Sequence, residues 1–229
     1  VNNIIIDQPA GIGDIIFIQK LCAALVDRGN TVYLPVLPVC WEAGIDRLRS
    51  RAIITPDKSI LPHEAKVINL SLLSKPNGFI DTMVSKYEGL GHTWQGWQKY
   101  VVFDRDIESE ESFKKNHLGI QNGEPYIVVN KHYGTPPHSS VKETVIDTVP
   151  TGYDGKIVTM TPNSLVPLLD WCTVWEGAEE IHSVDTSLQY ICETLQLKAN
   201  RLVTHPRHPE SSKAMVSRLF DQPWEWNEW

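Results

Sequence analysis

Asn3-Ile4-Ile5-Ile6-Asp7-Gln8-Pro9-Ala10-Gly11-Ile12-Gly13-Asp14, with the helical stretch behind it from Ile15 to Arg28, decides the fold. Five residues rich in Ile read as a strand buried on both faces. Gln8 to Asp14 reads as a glycine-containing turn. After it Ile15, Ile18, Leu21, Cys22, Leu25 and Val26 recur at helical spacing, and Gly29-Asn30 stops the helix. Thr31 to Val36 is again strand-like. Strand, glycine loop, helix and strand make a βαβ unit with a parallel crossover.

The same alternation continues outward. Ala52–Ile54 and Lys66–Leu70 read as strands, Ile80–Tyr87 as a helix, Gly89–Trp97 as a loop and Glu108–Asn116 as a charged helix. The turn cluster Asn122-Gly123-Glu124-Pro125 marks the expected domain boundary. Beyond it Tyr126–Asn130, Lys156–Met160, Glu180–Val184 and Arg201–His205 read as strands. Helices are expected within Leu165–Ala178 and over Thr186–Leu195. The predicted fold class is α/β, with two facing Rossmann-like domains over 1–121 and 122–229 in a compact version of that architecture. The aromatic tail Trp224-Glu-Trp226-Asn-Glu-Trp229 is expected to pack back on a domain or across the gap between the two.

Composition narrows the function classes. The 229 residues carry a formal charge of -7 and are 41% hydrophobic, enough for a real core. A pI near 5.6 argues against a broad nucleic-acid footprint. Cys22, Cys40, Cys172 and Cys192 form no C-x-x-C pair, so reduced thiols and a cytoplasmic setting are expected. No apolar run reaches the ~18 residues of a membrane span, and Val32–Trp41 holds Pro35 and Pro38.

Three strand ends hold candidate site residues. Gly11 and Gly13 permit a tight turn, and Asp14 stands either as a helix cap or as a reactive carboxylate. The dinucleotide fingerprint fails, because its third glycine is Ile16 and no acid closes the second strand. Asp185-Thr186-Ser187 begins a second helix; Thr186-x-x-Gln189 has the spacing of a capping box, and the same turn suits a diphosphate or a sugar hydroxyl. Asn130-Lys131-His132-Tyr133-Gly134 and His205-Pro206-Arg207-His208 place basic groups at further strand ends, toward phosphate or toward water. Asp104-x-Asp106 reads as a solvated charge run rather than a metal site, and Trp94-x-x-Trp97 as core packing or a stacking platform.

Gly11-Ile-Gly13-Asp14-Ile-Ile-Phe17 together with Glu176-Gly-Ala178-Glu-Glu-Ile181-His-Ser-Val184-Asp185-Thr186-Ser187-Leu188 resembles the GT-B glycosyltransferases, in particular the ADP-heptose:lipopolysaccharide heptosyltransferase-like group. The first stretch is similar to that group's N-terminal G-x-G-D loop, the second to its helix, strand and D-[ST]-[GS] turn. The chain is short for the group, the His that often follows the turn is replaced by Gln189 or Tyr190, and Lys131 matches the lysine-bearing phosphate loop only loosely. The resemblance implies an inverting, metal-independent glycosyltransferase. Asp14 would be the base; Gly11, Gly13, Asn130, Lys131, His132, Gly134, Asp185, Thr186, Ser187 and Arg207 would bind substrates. The partners implied are a nucleotide-diphosphate sugar, which is the donor substrate rather than a cofactor, and a carbohydrate or glycan acceptor. An epimerase acting on nucleotide sugars and an inactive binding protein on the same scaffold are the competing readings.

Overall fold

A computed structural model of the chain describes residues 2–8, 11–73, 79–134, 142–143, 153–161, 166–207 and 218–227. The described residues cluster into two compact units, one ending at Asp104 and one beginning at Arg105.

The first unit is built on four parallel strands. β1 is Asn3–Asp7; α1, Ile12–Phe17, and α2, Gln19–Asp27, follow it; β2 is Thr31–Pro35 and α3 is Pro38–Glu42. A two-residue strand β3, Leu48–Arg49, precedes β4, Ile53–Thr55, and β5, Lys66–Asn69. α4, Phe79–Glu88, comes next, and β6, Val102–Phe103, pairs antiparallel with β3. The main sheet has the order β4-β2-β1-β5, all parallel. The strand order therefore reverses at β1, and the crevice beyond the carboxyl ends of β1 and β5 is a topological switch point, the place where open α/β sheets bind ligands. The Gly11–Asp14 turn leaves the carboxyl end of β1 at that point.

The expected single helix from Ile15 to Arg28 is two. Ile18, at φ -80° and ψ 3°, closes α1 and opens α2, and Ile18 itself is fully buried between them. Gly29 ends α2 at φ +83°, a left-handed conformation glycine adopts at little cost. Phe17 anchors the core of this unit: its ring meets Tyr87 at 5.2 Å and Trp97 at 5.5 Å, both edge-on. Trp97 is wholly buried, so this half of the Trp94-x-x-Trp97 pair is core packing.

The second unit opens with α5, Ile107–Ser112, capped by Asp106, whose carboxylate accepts the Ser109 N–H. A turn of π-helix over Phe113–His117 extends it to the end of the charged segment. The residues from Arg105 to Gln121, read from sequence with the first half, pack in this unit. Arg105 bonds Glu110 and Glu176 at once, and the fully buried Glu110 also accepts the Thr173 N–H. β7 is Tyr126–Asn130, buried throughout, followed by the short antiparallel pair β8, His132–Tyr133, and β9, Lys142–Glu143. β10 is Lys156–Thr159, α6 Cys172–Gly177, β11 Glu180–Val184, α7 Ser187–Cys192, β12 Arg201–His205 and β13 Trp224–Trp226.

Its sheet has the order β10-β7-β11-β12-β13, all parallel. Within this unit that is the 2-1-3-4-5 doubly wound order, with its switch point between β7 and β11. The aromatic tail packs on this unit, as the edge strand β13 beside β12. Glu193 fastens it: the carboxylate accepts N–H bonds from Asp221, Gln222 and the Trp224 indole. Trp229 lies outside the described residues. The four cysteines are free and buried.

Candidate functional site

In the first unit the turn after β1 presents Asp14. Gly11 adopts φ +96°, and a Cβ there would lie 2.4 Å from Asp14 Oδ2. Glycine is thus required twice, for its backbone angle and for the room its bare Cα leaves the carboxylate. Gly13 is buried within α1. Asp14 is not the helix cap. Gly11 occupies that position, and Asp14 sits in the first turn, where its Oδ1 takes a hydrogen bond from the Lys86 ammonium. Lys86 comes from α4, and its side chain is 4% exposed against 23% for Asp14. The Cys40 thiol stands at the same corner. Burial pushes its pKa up, the Gly11 backbone opposes that, and the Asp14 charge adds to it.

In the second unit the structure draws most of the sequence candidates together at the β7/β11 switch point. Asn130, at the end of β7, donates through Nδ2 to Ser183 Oγ at 3.2 Å and to Thr186 Oγ1 at 3.3 Å. Its Oδ1 accepts the His132 N–H at 3.4 Å, and His132 Nδ1 lies 3.0 Å from the Met160 carbonyl. Asp185, 2% exposed, accepts both the backbone N–H of Arg207 at 3.0 Å and its Nε–H at 2.9 Å. Burial raises the Asp185 pKa, and the Arg207 charge and hydrogen bonds oppose the rise. The Arg207 guanidinium lies over the Tyr133 ring, 6.0 Å from its centre. Ser187 is half-buried at the start of α7; Lys131 joins β7 to β8, and Gly134 follows β8, exposed.

One sequence expectation is corrected here. The Thr186-x-x-Gln189 capping box does not form. Thr186 makes no side-chain capping bond among the described residues, its hydroxyl accepting from Asn130 instead, while Gln189 reaches Thr204 Oγ1. Neighbouring strand ends outcompete the local cap. Asp185 Oδ1 takes both Arg207 bonds, and through that oxygen it ties the loop after β12 to the end of β11. His208 lies outside the described residues.

The sequence reading missed Lys86, and a signal was present. Within the helical stretch, Met83, Lys86 and Tyr87 share one face by spacing, and an ammonium in an apolar stripe calls for a buried partner. It also missed His182, and His205, expected to face phosphate or water, is instead buried beside it. Their rings stack at 5.7 Å, Glu180 meets His182 Nε2 at 3.0 Å, and Asn227 meets His205 Nδ1 at 3.3 Å. Strand spacing alone does not reveal neighbours on β11 and β12.

Asp104 pairs with Arg49, and Asp106 caps α5, so the Asp104-x-Asp106 run is structural. Among the described residues no group of three or more His, Cys, Asp or Glu is placed to hold a metal ion, and no helix is long and apolar enough to cross a membrane.

Neither a family model nor a curated protein matches the chain. Solved structures do. A glycosyl transferase family 9 protein from Veillonella parvula DSM 2008 superposes with a TM-score of 0.58 at 10% identity, covering 100% of this chain and 86% of that one. TibC, an iron-containing dodecameric glycosyltransferase from enterotoxigenic E. coli H10407, gives a TM-score of 0.56 at 11% identity, covering 99% of this chain and 62% of TibC. The heptosyltransferase TibC in complex with ADP-D-beta-D-heptose also gives 0.56, at 12% identity. This chain thus spans less than two thirds of TibC's length. At these identities the likeness concerns the fold. The resemblance read from the Gly11–Phe17 and Glu176–Leu188 stretches holds at that level: the chain has the α/β, GT-B-like fold of these glycosyltransferases.

Proposed function

We propose that this chain is a glycosyltransferase that moves a sugar from a nucleotide-diphosphate sugar to an acceptor hydroxyl with inversion. The observation that carries the reading is the Asp14 carboxylate, partly exposed on a glycine turn at the β1 switch point and held there by Lys86. The fold shared with a family 9 glycosyl transferase supports the reaction class, and the TibC complex with ADP-D-beta-D-heptose supports the donor class.

In this reading the acceptor is bound by the first unit. Asp14 takes the acceptor hydroxyl's proton as that oxygen bonds to the anomeric carbon, and the bond from that carbon to the diphosphate oxygen breaks. Attack opposite the leaving group inverts the anomeric centre. The second unit binds the donor. Lys131, Arg207 and the turn at Thr186-Ser187 are the groups suited to the diphosphate's charge, and Asn130 and His132 shape the turn around them.

Nucleoside diphosphates and nucleotide sugars screened by thermal shift test the donor half. A ligand at 100 times its dissociation constant stabilises by about 2.7 kcal/mol. Release of nucleoside diphosphate that depends on added acceptor tests transfer. Release without acceptor favours another nucleotide-sugar enzyme, and no shift with any nucleotide favours a binding protein that lacks catalysis.

A further inference from the structure

Lys86 is a charged side chain in an apolar place. Its neighbours on α4 dock that helix without help from it. Tyr87 is fully buried, donates its hydroxyl to the Phe17 carbonyl and packs edge-on against the Phe17 ring. Met83 is fully buried as well. A methionine at position 86 would match the volume of this side chain, but it would leave the Asp14 carboxylate without its partner, at a cost that the partial exposure of Asp14 reduces. The ammonium instead meets the Met83 thioether at 3.4 Å and the Asp14 carboxylate. Consecutive residues of α4, Lys86 and Tyr87, therefore grip Asp14 and Phe17, one turn apart on α1.

The two carboxylate oxygens of Asp14 are thereby made different. Oδ1 is taken by Lys86, and Oδ2 lies over the bare Cα of Gly11. We propose that Lys86 is a positioning residue for Asp14: it fixes the carboxylate through Oδ1 and leaves Oδ2 as the oxygen that receives the acceptor's proton. The proton passes from the acceptor hydroxyl to Oδ2, the oxygen–carbon bond forms, and the nucleoside diphosphate departs with the bonding pair. This assignment rests on the transferase reading given above.

The test compares wild type, Lys86→Met, Asp14→Asn and the double variant. Initial rates of nucleoside diphosphate release are measured against donor and acceptor concentration. Lys86→Met is expected to lower kcat by about tenfold or more with donor KM unchanged. In the Asp14→Asn background it is expected to add nothing, because the residue acts through Asp14. A kcat within twofold of wild type, or an effect that adds in full to Asp14→Asn, overturns the assignment. A second arm needs no turnover: the carbon-13 resonance of the Asp14 carboxyl is compared in wild type and Lys86→Met at neutral pH. A displaced resonance is expected, since Lys86 bonds Oδ1, and an unmoved one overturns the assignment. Wild type that transfers no sugar from any nucleotide sugar defeats the transferase reading, while the resonance still decides whether Lys86 governs Asp14.

Discussion

Arg207 closes on Asp185 with two donors, its backbone N–H at 3.0 Å and its Nε–H at 2.9 Å, joining the end of β11 to the loop after β12. Asp185 is 2% exposed, so its charge depends on that partner. Removing one member of a buried pair leaves an uncompensated charge, at a cost of about 3 kcal/mol or more. Arg207→Met is therefore expected to lower unfolding free energy by about that amount in urea titrations. Asp185→Asn, which keeps a carbonyl acceptor for both donors, is expected to lose less. Equal stability of Arg207→Met and wild type would show that the pair contributes nothing.

Gly11→Ala tests the turn that presents Asp14. The φ of +96° and the 2.4 Å approach to Asp14 Oδ2 both oppose a Cβ. A stability loss of about 1–3 kcal/mol is expected from backbone strain. Transfer activity is expected to fall further than stability does, since the carboxylate must move. An alanine variant with wild-type kcat and melting temperature contradicts this.

His182 makes the second unit sensitive to acid. Burial lowers its pKa, with Arg201 acting in the same direction and Glu180 and Glu225 opposing. His205 and Asn227 complete its surroundings. A lowered folded pKa means that the unfolded chain binds the proton more readily. The stability this contributes is present above the ordinary histidine value near 6.5 and is lost as pH falls through the lower folded value. Denaturant midpoints are expected to fall below about pH 6.5, and His182→Phe is expected to flatten that dependence. A steeper dependence in the variant contradicts it.

Glu193 is the tether of the tail. Its carboxylate accepts from Asp221 N at 2.7 Å, Gln222 N at 3.2 Å and Trp224 Nε1 at 2.9 Å. Glu193→Ala leaves these donors without it, a loss of about 1–3 kcal/mol for each group that stays buried and unsatisfied. Amide hydrogen exchange over 221–226 is expected to quicken while β7 stays protected. Unchanged exchange in β13 contradicts the tether.

How far the sequence revealed this arrangement depends on range. β1, β7, β11 and β12 were legible because each is a short apolar run bounded by polar turns, and their limits follow from that contrast. The helix after Gly11 was legible as a helix, but not its break at Ile18, since an apolar residue there fits either one helix or two. Asp14 looked like a cap because a cap needs only local spacing. The helix starts earlier, with Gly11 as its cap residue, and Lys86, which takes the Asp14 carboxylate instead, lies 72 positions away. The Thr186–Gln189 box failed for the same reason: Asn130 and Thr204, far along the chain, hold those side chains. Motif residues were found where the strands end; their partners were set by strand order, which no local pattern encodes.

Acceptor-dependent release of nucleoside diphosphate, measured for wild type and Asp14→Asn, tests the role of Asp14 most directly. The amide keeps an oxygen for Lys86 and removes the base. Asp14→Asn is expected to bind nucleotide sugar as wild type does and to lose about 100-fold or more in kcat. Transfer by Asp14→Asn at the wild-type rate contradicts the assignment of that carboxylate.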